Sequence, residues 1–399
     1  MPPPVPMSLS ERLLRAYVDG IETCGCDMVD SNAPSLLLYW PHAKMNKYQA
    51  LLYTQASRCG FVTLPLTQLE QLDDVSWPGD IVFHAHWFAS LHNEAKSEDE
   101  AIAANEAAFK RLTEFRTRTG AHLIWTAHNL FPHGDKFPRA SLDLRRRIAD
   151  KFDLIHLMDA NHGAILTSAY GLPPRQTFTV PHMTYCGVYA DYLSREEARA
   201  TLALPAKSVV FIFFGSIQQY KGLEFLVQTF KELLSSGRRD ARLLIAGFPS
   251  DAETLAKIKD LAANEQRIII DGRRIADDEV QFYCKSADAM VLPYADTLNS
   301  GAAALAVTFG LPIIAPRALP FLPYSKLGAQ MYDPTAPDAL LEALMSFHDH
   351  LIADPQPSSN ALEAPKYLHP KAISMNLFGL VRRHLNLDRK PIELNASVD

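Results

Sequence analysis

Cysteine is scarce and odd in number: five residues, Cys24, Cys26, Cys59, Cys186 and Cys284, in a chain of 399. The count argues against a disulfide framework, the spacings are not those of zinc ligands, and Cys24-Gly25-Cys26 is one residue short of the common redox pair. A reduced, cytoplasmic protein is the expectation. Long apolar runs are also lacking. None approaches the roughly 18–20 residues that a membrane helix needs, and MPPPVPMSLS has neither the basic nor the apolar region of a signal peptide. Basic excess is missing too: 39 Lys and Arg stand against 45 Asp and Glu, a net charge of -6, which gives no general electrostatic basis for binding nucleic acid.

What is present is ordinary globular material, 48% hydrophobic and 21% charged, long enough for two domains of roughly 150–200 residues. Apolar runs with polar residues at their C-terminal ends recur: SLLLYW from Ser35, FVTLPL from Phe61, DIVFHAHW from Asp80, HLIWTAHN from His122, FDLIHLMD from Phe152 and TFTVPHM from Thr177. A second series follows, VVFIFFG, ARLLIAG, RIIIDG, AMVLPY and LPIIAP. Helical patterns lie between them, the longest over about residues 98–118. Strands alternating with helices predict an α/β chain with parallel, doubly wound sheets. The expected division is an N-terminal domain over 1–190, a linker over 191–206, a C-terminal domain over 207–370, and a helix and tail over 371–399 that packs back on the first domain.

Two stretches carry chemistry. In FIFFGSIQQYKGLEFLVQTF, residues 211–230, a strand meets Gly215 and Ser216, a polar loop ends at Lys221-Gly222, and a helix begins at once. In VLPYADTLNSGAAALAVTFGLPIIAP, residues 291–316, Asn299, Ser300 and Gly301 open a helix of small residues. A strand, a phosphate-sized loop and a helix N-terminus in sequence suit an anion, and two such units suggest a nucleotide-diphosphate site. The plainer readings are a solvated lysine at 221 and simple helix caps at 299 and 300.

These segments, with GRRIADDEVQFYCKSADAMVLPY, resemble the C-terminal half of GT-B glycosyltransferases near glycosyltransferase family 4. NKYQALLYTQA, DIVFHAHW, IWTAHNLFPHG and VPHMTYCGVY are similar to bacterial exopolysaccharide enzymes, including xanthan-type mannosyltransferases. The resemblance implies two Rossmann-like domains with an interdomain cleft and transfer of a hexose from a nucleotide-sugar donor, GDP-mannose first, to a hydroxyl of a lipid-linked saccharide. It implies a metal-independent reaction with no cofactor, at the inner face of a membrane. A scaffold subunit without activity and a nucleotide-sugar epimerase are the alternatives.

On this resemblance Gly215, Ser216, Lys221, Arg273, Asn299, Ser300 and Gly301 bind the donor, His128 and Asp159 are the catalytic candidates, and His86 and His182 meet the acceptor. His84 and His86 flank one apolar strand, with one of the two expected to face the core. Arg273 and Arg274 either touch phosphate or pair with Asp277 and Asp278. The family's two glutamates, eight apart, are replaced by Thr297 and Leu305, and Ser216 stands where an arginine is usual. DLRRR, residues 143–147, reads as a solvated helix face or a peripheral contact with an anionic membrane.

Overall fold

Short apolar strands rich in β-branched and aromatic residues must be covered on both faces, and intervening amphipathic helices supply the cover. A computed structural model describes residues 7–23, 33–132, 134–354 and 364–387. Cys24 and Cys26 lie outside the described residues; Cys59, Cys186 and Cys284 are free thiols.

The chain runs α1 (Leu9–Thr23), β1 (Ser35–Trp40), α2 (Lys47–Leu52), β2 (Phe61–Pro65), β3 (Ile81–Ala85), α3 (Glu98–Thr119) and β4 (His122–Thr126). Then come α4 (Pro138–Lys151), β5 (Leu154–Leu157), α5 (His162–Tyr170), β6 (Thr177–Thr179), α6 (Arg195–Thr201), β7 (Val209–Phe214) and α7 (Leu223–Ser235). Next are β8 (Ala241–Ala246), α8 (Ala252–Ala262), β9 (Ile268–Asp271), α9 (Val280–Ser286), β10 (Ala289–Val291) and α10 (Gly301–Thr308). The remainder is β11 (Ile313–Pro316), α11 (Leu322–Ser325), β12 (Gln330–Tyr332), α12 (Ala339–Ala353) and α13 (Pro370–Leu385).

Two compact units result: residues up to Met183 together with those from Pro370 onward, and Thr184–His369. Each holds one six-stranded sheet, ordered β2-β1-β3-β4-β5-β6 in the first and β12-β11-β10-β7-β8-β9 in the second, and the strand pairs are parallel throughout. Strand order reverses between β1 and β3 in the first sheet and between β7 and β10 in the second. Such switch points are where open parallel sheets bind ligands, beyond the carboxyl ends of the strands.

The segment expected as a linker over 191–206 is instead built into the second unit. Ser194 caps α6 in a capping box with Glu197. Buried Arg199 pairs with Asp288 at 2.8 Å and donates to the carbonyls of Ser286, Ala206 and Ser208. Asp288 also accepts from the Val210 amide at 2.7 Å, which ties α6 to the start of β7. A charge pair this deep requires its surroundings to be fixed, the opposite of what a linker needs.

In the first unit α13 packs beside α2. The Gln55 amide donates to Ser374 Oγ at 3.0 Å, Arg382 donates to the Cys59 carbonyl at 2.9 Å, and Phe378 lies against Phe61 with ring centroids 4.7 Å apart.

Candidate functional site

In the second unit the loops after β7 and β10 meet at the switch point. Gly222 has φ 69 and is the N-cap of α7. A Cβ there would lie 2.5 Å from the Pro293 carbonyl oxygen, so only glycine lets the two loops approach. The exits of β7 and β8 are equally close, since a Cβ on Gly247, φ 149, would lie 1.8 Å from the Gly215 carbonyl oxygen.

This approach sets Lys221 Nζ over the Tyr294 ring at 3.7 Å from its centroid, with the Tyr220 ring at 4.8 Å. No carboxylate of the described residues pairs with it. Burial pushes the ammonium down to about 8 from its usual 10.5 and the Tyr220 phenol up to about 12. The Tyr294 hydroxyl shares a hydrogen bond with Ser300 Oγ at 2.8 Å. Ser300 in turn caps α10 by accepting from the Ala303 amide at 3.0 Å. A desolvated cation and a capped helix N-terminus are thus joined through one phenol, a combination that favours a bound anion.

Other expected donor residues stand as follows. Ser216 Oγ accepts from Gln218 Nε2 at 3.1 Å. The Asn299 amide donates to Thr297 Oγ1, whose hydroxyl donates back to the Asn299 carbonyl, so this loop is folded on itself before Gly301 opens α10. Arg273 departs from expectation: its guanidinium forks onto Glu279 at 2.7 and 2.8 Å and reaches Asp271 at 3.1 Å. Two carboxylates already neutralise it, and they are not Asp277 and Asp278. Leu305 belongs to the buried core, so neither it nor Thr297 puts a carboxylate at the mouth of the loop.

The first unit collects histidines at the carboxyl ends of its strands. His84 in β3 and His86 just beyond its end do not divide between two faces, because residues two apart along an extended chain point the same way. Their rings stack at 4.5 Å. The Tyr53 hydroxyl, following α2, bridges His84 Nδ1 at 2.9 Å and His86 Nε2 at 2.7 Å. His86 Nδ1 meets His128 Nε2 at 3.0 Å. His84 Nε2 meets Thr126 Oγ1 at 2.7 Å, Thr126 Oγ1 meets His156 Nδ1 at 3.0 Å, and His156 Nε2 reaches the Val180 carbonyl at 2.9 Å. His182 Nδ1 donates to the Met183 carbonyl at 2.7 Å. Tyr48 lies with its ring 5.1 Å from both His128 and His182.

Burial holds all five imidazoles below their ordinary value, His156 and His182 at about 4 and the others well down, and for all but His182 neighbouring histidines add to the effect. The array is therefore neutral at physiological pH. Asp159 is not joined to it by these bonds. Its Oδ1 accepts from the Asn161 amide and side chain, both at 2.9 Å, in a local turn. The DLRRR face is also spent within its own unit. Arg145 is buried against Trp125 and donates to the Leu130 carbonyl, Arg146 donates to the Tyr170 carbonyl, and Arg147 pairs with Asp143.

Residues 208–349 match the family Glycosyl transferases group 1. The GDP-mannose:glycolipid 4-beta-D-mannosyltransferase of Xanthomonas campestris pv. campestris is 25% identical over 281 residues, spanning 69% of this chain and 71% of that protein. Sucrose-phosphate synthase of Thermosynechococcus elongatus superposes with a TM-score of 0.67 at 16% identity, over 88% of this chain and 99% of its own. The chain has the GT-B fold, and its residues 208–349 form a glycosyltransferase group 1 domain. The chain also shares its fold with HepE of Anabaena, solved with UDP and glucose, at a TM-score of 0.61 and 13% identity over 88% of this chain and 100% of that one. No helix among its described residues is long and apolar enough to cross a membrane.

Sequence reasoning missed Tyr294, Tyr53, Thr126 and His156. Tyr294 follows the strand-ending Pro293 directly, and an aromatic at such an exit was the available signal. Tyr53 and His156 join the array only through contacts 31 and 30 residues away in sequence, which no local pattern announces.

Proposed function

We propose that this chain is a glycosyltransferase that transfers mannose from GDP-mannose to a hydroxyl of a lipid-linked saccharide, with inversion at the transferred carbon. The observation that carries the reading is Lys221, a half-buried ammonium with no carboxylate partner among the described residues, set over Tyr294 beside the N-terminus of α10. The diphosphate takes its charge from Lys221 and from the amides of Ser300 and Gly301, with Gly215, Ser216 and Asn299 around it, while Arg273 stays with its own carboxylates. As the bond from the sugar's C1 to the phosphate oxygen breaks, the leaving diphosphate gains negative charge that these groups stabilise.

The acceptor oxygen forms the new bond to C1, and its proton passes to an imidazole nitrogen of His128, a neutral base at physiological pH. His182 and His86 line the acceptor side, and Asp159 is a secondary candidate. The mannosyltransferase similarity supports the donor and the glycolipid acceptor. The enzyme then works beside a membrane without crossing it through any described helix.

Thermal-shift measurements with GDP, UDP, ADP and their sugars test the nucleotide, because a ligand that binds only the folded state raises the melting temperature. GDP and GDP-mannose are expected to give the largest shifts. A GDP-mannose turnover assay with a lipid-linked acceptor tests the reaction, and a nucleotide-binding protein that consumes no donor would be a scaffold subunit.

A further inference from the structure

The hydrogen-bond chain through the first unit has only one consistent arrangement of protons. The Val180 carbonyl can only accept, so the partner nitrogen, His156 Nε2, carries a hydrogen. In a neutral ring Nδ1 is then bare and accepts from the Thr126 hydroxyl. That hydroxyl has no second proton, so His84 Nε2–H donates to it, and His84 Nδ1 accepts from Tyr53. Tyr53 has spent its proton in turn, so His86 Nε2–H donates to its oxygen and His86 Nδ1 accepts from His128 Nε2–H. His128 is left with its lone pair on Nδ1.

We infer that Tyr53, His84, Thr126 and His156 are positioning residues that fix His128 as the Nε2–H tautomer, with Nδ1 as the nitrogen that accepts a proton. The inference deepens the proposed role of His128 and rests on it for its catalytic meaning, although the tautomer itself follows from hydrogen bonding alone. Around His128 stand His84 from β3, His86 just beyond its end, His156 from β5, His182 after β6, Arg145 from α4, the ring of Tyr48 from α2, and Trp87, stacked on it at 4.3 Å. The same chain could in principle carry the proton onward through five transfers to His156. Burial disfavours a cation on His128 and on His156 alike, so the role inferred for the array is to orient the base.

The test is long-range proton–nitrogen NMR of the full chain with 15N-labelled histidine, in the native protein and in Thr126→Val, Thr126→Ser and Tyr53→Phe. The native spectrum is expected to show His128 protonated at Nε2. Thr126→Val and Tyr53→Phe each remove one link and are expected to give mixed His128 tautomers, whereas Thr126→Ser keeps the hydroxyl and the native pattern. With GDP-mannose as donor, Thr126→Val is expected to lower kcat about tenfold or more with the donor KM unchanged, and Thr126→Ser to restore it. A native His128 protonated at Nδ1, or a Thr126→Val spectrum identical to the native one, overturns the inference. If the tautomers are as stated but His128→Asn retains full kcat, the array stands and the base lies elsewhere, which removes the catalytic reading alone.

Discussion

Lys221 Nζ lies 3.7 Å from the centroid of the Tyr294 ring, and the same tyrosine's hydroxyl is bonded to Ser300, the cap of α10. One phenol therefore holds both the cation and the helix N-terminus in register. A phosphate placed against either group meets the other without further ordering of the loop, so the cost of arranging the site is met during folding.

Lys221→Met keeps the length of the side chain and removes its charge. The variant is expected to bind GDP-mannose about tenfold or more weakly, a loss of roughly 1.5–3 kcal/mol for a charged hydrogen bond. Titration calorimetry on the folded variant measures it. Unchanged affinity would take Lys221 out of the site.

The same side chain predicts opposite responses of binding and stability to alkali. Its folded pKa, about 8, lies below the ordinary lysine value of 10.5 because of burial. Between these values the folded form has released a proton that the unfolded form keeps, so this residue's contribution to stability rises with pH through the window. Donor affinity falls over the same window as the ammonium is lost. Lys221→Met is expected to abolish both trends, and to be the more stable protein at pH 7 in the absence of ligand. Denaturant midpoints and affinities at pH 7, 8 and 9 separate the two effects.

Acid acts on the first unit through its histidines. Their folded values lie below the ordinary 6.5, with His156 and His182 at about 4. As pH falls from 6.5 the unfolded chain gains protons that the folded array refuses, and stability drops by about 1.4 kcal/mol per pH unit for each such residue. Hydrogen exchange at pH 7 and pH 5 is expected to show α2 and β3 to β5 losing protection while β7 and β8, whose unit lacks such an array among the described residues, lose far less. Equal losses in both units would refute the assignment.

Arg199→Met removes the fork that joins α6, β7 and α9 and leaves Asp288 with Arg195 as its remaining cation. A loss of about 3 kcal/mol is expected, read from the urea midpoint of the second unit. A loss under about 1 kcal/mol would mean that α6 is as loosely attached as its sequence suggested.

The strands were legible as apolar runs, and eleven of the twelve among the described residues lie where those runs stand. The exception is β12, three residues of Gln-Met-Tyr with no apolar run to announce it. The loop carrying Lys221 and the cap at Ser300 were readable for the same reason, since strand, loop and helix start are consecutive. What was not legible depends on distant partners. Arg199 falls in the segment expected as a linker, and its counter-charge, Asp288, lies 89 positions away. The acids that hold Arg273 were not legible either, because only folding shows that Asp271 and Glu279 flank it. The common face of His84 and His86 was available from strand periodicity alone and was misread.

The first unit is interrupted in sequence, since α13 arrives only after all of the second unit. On the ribosome the second unit has every residue of its sheet before Ser374 and Arg382 emerge to brace the backbone that follows Tyr53, and Phe378 to meet its ring. Synthesis therefore completes the sequence of the half that carries Lys221 first, and the brace beside Tyr53 is added only when translation has delivered that closing helix.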